Sequence, residues 1–138
     1  MRVFLLLLLA ASLPSIANEL SVLSPDKKVK LSFTDDGELA QYRVSFNGEP
    51  VLGLGKLGFT FAKASPLYRD FKVEEISRNT VDQTWQQPWG EQRDIRDNHN
   101  ELLVKFYNPS DKDRTFLVRA RVFNDGIGFR YELPASGN

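Results

Sequence analysis

The residues best suited to chemistry stand close together in one stretch, TWQQPWGEQRDIRDNHNE, at positions 84 to 101. It contains both tryptophans of the chain, its only histidine and several carboxylates. Flat indole rings bind the C–H faces of sugar rings, and nearby acids, amides and guanidinium groups bond to the sugar hydroxyls. The stretch therefore predicts a sugar-binding site, with these candidate side chains: Trp85, Trp89, Glu91, Arg93, His99 and Glu101. The structural alternative places one tryptophan in the core and the other over a sheet edge.

Two of the carboxylates also raise the question of glycoside hydrolysis. That reaction needs one carboxyl group as a proton donor and a second as base or nucleophile. Glu91 and Glu101 flank the polar stretch and are the available pair. The simpler interpretation makes them solvated strand ends that form salt bridges with Arg93 and Arg96. We therefore predict no catalytic residue in this chain.

Other site chemistries find little support. One histidine and no cysteine exclude a zinc site of the usual composition. Asp94, Asp97 and Glu101 could offer oxygens to calcium, but their spacing matches no calcium loop. No serine has the setting of a nucleophile elbow, and GLGKLG at 53 to 58 lacks the Lys-Ser/Thr ending of a phosphate loop, so a bulged strand is predicted there. We predict no metal and no cofactor in this segment.

Composition limits the class of protein. The chain has 138 residues, a formal net charge of zero and 41% hydrophobic residues, which is typical of one globular domain. A balanced charge gives no electrostatic reason to expect nucleic acid or a membrane surface as a partner. The absence of cysteine means that packing, and not disulfides, must hold the fold together.

The N-terminus predicts export. Met1 and Arg2 precede an apolar run, VFLLLLLAA, which is shorter than the ~18 residues that a membrane span requires. The small residues of SIA follow, at the spacing that a signal peptidase accepts. We expect residues 1 to 17 to be a signal peptide cut after Ala17, and residues 18 to 138 to be a secreted or periplasmic domain.

The elements that must position the candidate residues are β-strands. Alternation of apolar and polar residues predicts strands at 29–34, 39–46, 57–62, 71–76, 102–107, 115–123 and 127–133. Short antiparallel strands joined by tight turns predict an all-β fold, an antiparallel β-sandwich. The inward face of the last two strands is expected to include these residues: Phe116, Val118, Ala120, Val122, Ile127, Phe129, Tyr131 and Leu133.

One segment carries a second pattern. Between 91 and 107, apolar residues and His99 also recur at helical spacing. The poor helix formers of DNHN and the β-rich LLVKFY favour a strand there, but a helix stays an alternative.

Two motifs carry a resemblance to a known family. TWQQPWGEQRDIRDNHNELLV and FLVRARVFNDGIGFRYELP resemble the N-terminal domain of glycoside hydrolase family 97, and the opening hairpins match in style. The resemblance covers the whole mature chain. It implies part of a β-super-sandwich of the galactose-mutarotase-like kind, from exported bacterial α-glucosidases and α-galactosidases that act on α-linked oligosaccharides or glycosides.

The chain departs from the family pattern in two respects. His99 stands where the family shows an aromatic tyrosine before NE. The catalytic (β/α)8 barrel, which in the family carries the catalytic carboxylates and most of a calcium site, has no counterpart in these residues, so no catalytic or calcium-ligand residue is transferred to this sequence. The expected function is a non-catalytic domain that packs on such a barrel and shapes its pocket. The alternatives are a stand-alone periplasmic carbohydrate-binding module and a purely structural interaction domain.

Overall fold

The computed structural model describes residues 18 to 134, so the predicted signal peptide and its cleavage site at Ala17 lie outside the described residues. Within them the chain forms eight strands. They are β1 (Asn18–Leu23), β2 (Val29–Asp35), β3 (Ala40–Phe46), β4 (Glu49–Lys56), β5 (Lys72–Gln86), β6 (Asp94–Asn108), β7 (Asp111–Phe123) and β8 (Gly126–Glu132). No helix in this part of the chain is long and apolar enough to cross a membrane.

The strands make two antiparallel sheets in which chain neighbours pair directly. The first sheet has the order β1-β2-β3-β4 and the second has the order β5-β6-β7-β8. The two sheets pack face to face, because buried residues from both belong to one hydrophobic cluster. The predicted antiparallel β-sandwich is thus confirmed.

Aromatic rings fill the space between the sheets. Phe116 on β7 stacks on Phe106 with 5.2 Å between ring centroids and meets Phe71 edge-on at the same separation. Phe33 of the first sheet contacts Phe106 edge-on at 6.3 Å. All four side chains are fully buried. Burial of large rings is the main stabilising contribution available to a chain without disulfides.

A buried carboxylate ties the sheets together at one end. Asp35, at the end of β2, is 3% exposed. It accepts hydrogen bonds from the backbone N–H of Val73 at 3.0 Å and from Lys72 Nζ at 3.4 Å, both on β5. A buried carboxylate is tolerated when such donors compensate for its lost hydration.

The connection from β4 to β5 contradicts the predicted strand at 57–62. Gly58 has φ +128, and a Cβ there would stand 2.0 Å from the carbonyl oxygen of Leu67. Only glycine fits such a turn, and the segment joins the fold through an isolated bridge from Phe59 to Leu67. The chain crosses here from the first sheet to the second, so the alternating pattern reflects local packing and not a strand.

Elsewhere the differences concern length and position. The helical alternative for 91–107 is wrong, since 94 to 108 form the long strand β6. The predicted strands at 71–76 and 102–107 are the inner parts of 15-residue strands. The bulged strand expected near 53–58 is confirmed in β4, where the pairing with β3 shifts register. Leu133, expected to point inward, follows β8 and is 55% exposed.

The predicted inward face of β7 and β8 is confirmed with one distinction. Phe116, Val118 and Val122 are 0% exposed, whereas Phe129 and Tyr131 on the edge strand β8 are only partly buried against the core. Edge positions lose the neighbours that a central strand supplies on both sides.

This difference yields a test of the packing. Phe116→Ala is expected to lower the free energy of unfolding by about 3–5 kcal/mol, because it removes a fully buried ring from a close-packed cluster. Phe129→Ala, its matched control on the neighbouring strand, should cost clearly less. Urea denaturation of both variants measures the costs, and Phe116→Leu serves if the alanine variant does not fold. Equal losses at the two positions would contradict the assignment of the core.

Candidate functional site

The candidate residues lie on a hairpin that reaches beyond the sandwich. β5 and β6 pair over their full lengths, but β7 pairs with β6 only from Asn100 to Asn108. Residues 81 to 99 therefore form a two-stranded ribbon, here called the arm, with six cross-strand pairs outside the sheet proper. At ~3.3 Å per residue the arm extends about 20 Å. The stretch 84–101 is thus mostly strand, and only its middle is a loop.

The alternation of side chains along β5 and β6 decides on which face of the second sheet each candidate residue lies. Register pairs Trp85 with Ile95, Val81 with His99 and Asn79 with Glu101, so Trp85, His99 and Glu101 lie on one face of the second sheet. This face is turned away from the core and is here called the outer face. Trp89, Glu91 and Arg93 belong to the exposed loop at the tip of the arm.

Shared orientation does not bring these residues into one pocket. Trp85 and His99 are separated by four residues along the ribbon, which is ~13 Å, and Glu101 lies two residues further. A cleft of about 830 Å³ at the opposite end of the second sheet, beside Tyr107 and Pro134, is lined by none of the six candidates. The predicted set therefore does not converge on one sugar ring.

Glu101 is the centre of an ion-pair network on the outer face. Its carboxylate is 9% exposed and accepts hydrogen bonds from Arg119 Nη1 at 2.7 Å and from Arg121 Nε at 2.9 Å. Arg119 also donates to Glu132 at 2.6 Å, and Arg130 donates to Glu132 at 3.0 Å. These side-chain hydrogen bonds link three neighbouring strands, β6, β7 and β8.

The network shifts its protonation equilibria. Burial disfavours the Glu101 carboxylate, but the hydrogen bonds from Arg121 and Arg119 outweigh it, so the pKa of Glu101 lies below its ordinary value. The carboxylates of Glu132 and Glu101 raise the pKa of Arg119. Glu101 thus stays ionised and hydrogen-bonded, which is the opposite of the raised pKa that a general acid requires. The predicted partners Arg93 and Arg96 were wrong: Arg96 pairs with Asp82 at 2.8 Å.

His99 is buried although it lies on the outer face. The side chain is 1% exposed, its ring packs at 5.0 Å from the ring of Phe123, and Nδ1 hydrogen-bonds to Asp97 Oδ1. Nε2 is buried and has no hydrogen-bond partner within residues 18 to 134. His99 is therefore a positioned packing residue and not an accessible sugar ligand.

The two tryptophans are accessible. Trp89, at the tip, is 82% exposed, and Trp85 is 49% exposed on the outer face. The loop between them is closed by hydrogen bonds from Gln87 to Arg93 O at 3.0 Å and to Gln92 O at 2.8 Å. The expectation that one tryptophan enters the core is wrong, because the arm carries both of them past it.

A metal ion would need several donor side chains close together. Within residues 18 to 134 no three His, Asp or Glu side chains are close enough to hold an ion. Asp94, Asp97 and Glu101 are separated along β6. Asp97 already forms a hydrogen bond with His99, and Glu101 already accepts hydrogen bonds from arginines. These residues do not form a calcium site by themselves.

Sequence reasoning missed the partners of Glu101. Alternation along β7 places Arg119 and Arg121 on the face opposite Phe116, but it does not say which strand lies alongside. The pairing of Glu101 with Arg121 across β6 and β7 depends on the register between strands. The sequence did contain one sign of these partners. Arg119 and Arg121 are two residues apart on a strand whose opposite face is apolar, so both arginines must point the same way.

The fold described above is similar to that of known proteins. The family model described as Glycosyl-hydrolase 97 N-terminal matches residues 22–138. The chain belongs to this family. The match covers β2 to β8, the arm and the outer-face network, and it begins near the end of β1.

Several relatives of the family 97 domain are known. A retaining α-galactosidase from Bacteroides thetaiotaomicron is 26% identical over 129 residues, 93% of this chain and 18% of the relative. A family 97 enzyme from Pseudoalteromonas sp. strain K8, solved in complex with panose and with acarbose, has a TM-score of 0.79 at 36% identity over 83% of this chain. A β-arabinopyranosidase structure has a TM-score of 0.73 at 27% identity. This chain spans about a sixth of the length of these relatives, 17% to 18%.

The outer-face network makes stability depend on pH. Folding lowers the pKa of Glu101, so the unfolded state binds more protons in the acidic range and the stabilisation is complete only above the unfolded value of about 4.3. It is lost as the pH falls through the folded-state pKa. Glu101→Gln is expected to lower the free energy of unfolding by about 1–3 kcal/mol at neutral pH and by less at an acidic pH at which the Glu101 carboxylate is protonated in the folded state.

Urea titrations at the two pH values measure this difference. The matched control is Glu91→Gln, which changes an exposed carboxylate at the tip of the arm and should leave stability unaltered at both. An identical loss for Glu101→Gln at neutral and acidic pH would show that the ion pairs do not contribute through ionisation.

Proposed function

We propose that this chain is the N-terminal carbohydrate-associated domain of an exported α-glycosidase. In this proposal it packs against a catalytic (β/α)8 barrel elsewhere in the same polypeptide and shapes the rim of the barrel's pocket. The observation that carries the proposal is the family match over 22–138 in a chain that spans about a sixth of its enzyme relatives. The catalytic carboxylates and the calcium ligands of the family then belong to the barrel.

The substrate class is inferred from the relatives. The Pseudoalteromonas enzyme was solved with panose and acarbose, and the Bacteroides relative is an α-galactosidase. We infer that the complete protein acts on an α-linked oligosaccharide or glycoside. Export is supported by the apolar run and small residues before Ala17, which are typical of a signal peptide and would place the protein in the periplasm or outside the cell.

The site geometry supports a non-catalytic role. A pair of catalytic carboxyl groups must face the scissile bond from roughly 5 to 10 Å apart. Glu91 belongs to the tip of the arm, whereas Glu101 lies among arginines where the arm joins the sheet. The two carboxylates therefore do not form such a pair.

Enzyme assays test the proposal. The polypeptide encoded by the complete reading frame, read beyond codon 138, is expected to hydrolyse a nitrophenyl α-glucoside or α-galactoside, and residues 18 to 138 alone are expected to show no turnover. Turnover by the short chain that is abolished by Glu91→Gln would place catalysis within it and contradict the proposal. A reading frame without a barrel would also overturn it.

A second function is favoured by the exposure of the tryptophans. Trp89 and Trp85 present free indole faces at 82% and 49% exposure, as a carbohydrate-binding module would. We infer that, if the domain binds sugar by itself, it does so weakly at the arm.

A fluorescence titration tests sugar binding directly. Trp85 and Trp89 are the only tryptophans of this chain, so its intrinsic emission reports on the arm alone. Binding predicts a saturable shift of the emission with panose at ~mM concentration, which Trp89→Ala removes. Phe61→Ala, which removes an exposed aromatic residue outside the arm, is the control and should leave the titration unchanged. An emission that does not respond to panose would argue against a binding module.

A further inference from the structure

The two outer surfaces of the sandwich differ in character. On the first sheet the outward positions of the central strands are all polar: Lys30, Ser32, Thr34, Gln41, Arg43 and Ser45. On the central strands of the second sheet the outward positions include Leu103, Leu117 and Phe123, and the arm adds Val81, Trp85 and Ile95 on the same face. The exposed apolar residues of the first sheet, Val51, Leu52 and Leu54, belong to its edge strand β4. A sheet with one solvated face shows the first pattern, and a sheet that is apolar on both faces is normally covered on both. The first sheet covers only the inner face of the second.

Individual outer-face residues support this distinction. Leu103 is 7% exposed and His99 is 1% exposed, although both point away from the core, because neighbouring side chains enclose them. The polar groups on this face include Arg119, which is paired with the carboxylates of Glu101 and Glu132, and Arg121, which is paired with Glu101. Aromatic residues and arginine are enriched at protein interfaces and lysine is depleted. The outer face has the aromatic residues and arginines of such an interface, together with Lys105 and the carboxylates of Glu101 and Glu132.

The arm gives a second, independent reason. A two-stranded ribbon is marginally stable in water. The arm is held by exposed contacts, namely Arg96 to Asp82 and Gln86 to Asp94, and exposed ion pairs contribute little. On the side away from β5, residues 94 to 99 of β6 have no strand partner among the described residues. Packing of Trp85 and Ile95 against another surface would stabilise the ribbon.

The path of the chain indicates what covers this face. Leu133 and Pro134 follow β8 and line the same cleft as Lys105 and Tyr107, two residues on the outer-face side of β6. The polypeptide thus leaves the described region beside the outer face. The enzyme relatives are more than five times longer than the matched segment.

We propose that the outer face of the second sheet and the arm form the docking surface for the catalytic part of the same polypeptide, with Trp85 as the apolar anchor and Arg121 as its charged partner. This proposal rests on the proposed function and adds the surface and its residues. Arg121 uses only Nε toward Glu101, and its side chain is 49% exposed, so its remaining donors face outward toward an acidic group of the docked part.

Matched double variants of the complete polypeptide test the docking surface. Trp85→Ala with Arg121→Ala removes the anchor and the charge from the second sheet. Phe46→Ala with Arg43→Ala removes a similarly exposed aromatic and an exposed arginine from the first sheet. Trypsin cleavage between this domain and the rest of the chain is expected to become ~tenfold faster in the first variant and to stay within about twofold in the second. Molar mass by light scattering is measured on all three proteins.

Each outcome is decisive. Equal cleavage rates in the two variants, in an enzyme that still hydrolyses its α-glycoside, would overturn the docking surface and leave the proposed function intact. Conversion of a dimer to a monomer by the first variant alone, without faster cleavage, would assign the face to a second copy and also overturn it. Because residue 85 is on an exposed ribbon, the variant with Trp85→Ala and Arg121→Ala is expected to fold. Replacing the alanine at position 85 of that variant by phenylalanine, as Trp85→Phe, should restore slow cleavage. If the complete polypeptide lacks a barrel, the proposed function is wrong, and the docking surface then has no partner to test.

Discussion

The packing of Phe116 between the sheets is the constraint on which the rest of the structure depends. Its ring lies within 5.2 Å of both Phe71 and Phe106, and it also contacts Tyr131 on β8. Without a disulfide, this cluster and its aliphatic neighbours must offset the conformational entropy of ordering the chain. Because side chains alternate along a strand, turning Phe116 inward also turns Arg119 and Arg121 outward.

The outer face follows from that constraint. Register across β6 and β7 brings Glu101 opposite Arg121, and the carboxylate is held by two guanidinium groups at the centre of three strands. Half-buried ion pairs pay a desolvation cost that good geometry only partly returns. Their presence beside Leu103 and Phe123 makes better physical sense on a face that meets another protein surface than on one made only for water.

The arm shows how the same hairpin serves two purposes. Near Leu102 and Val104, β6 is the central strand of a sheet and its side chains build the core. Beyond Asn100 the two strands continue without β7 and carry Trp85 and Trp89 outward. Backbone pairing in register, such as Asp82 opposite Asn98, continues the hairpin past the core that stabilises its inner part.

Much of the fold could be predicted from the sequence. Alternation at 29–34, 115–123 and 127–133 identified strands and their buried faces, because burial of one face imposes period two on the residues themselves. The motif around Trp85 and the RVFNDGIGFRYE segment identified the family. The sequence did not reveal that 57–62 is the connection between the two sheets. Phe59 and Phe61 are part of an alternating pattern there, but their rings stack on each other and do not belong to a strand. The turn at Gly58 depends on its contact with Leu67, which the sequence does not show.

The class of fold, the family and the face on which most side chains lie could therefore be inferred from the residues alone. The pairing of strands and the point at which each strand ends became known only from the folded chain. Those features separated Glu101 from Glu91, buried His99 against Phe123 and placed both tryptophans outside the core. The physical reason is that alternation is a property of one strand, whereas ion pairs, clefts and docking surfaces depend on the register between strands that are distant in the chain.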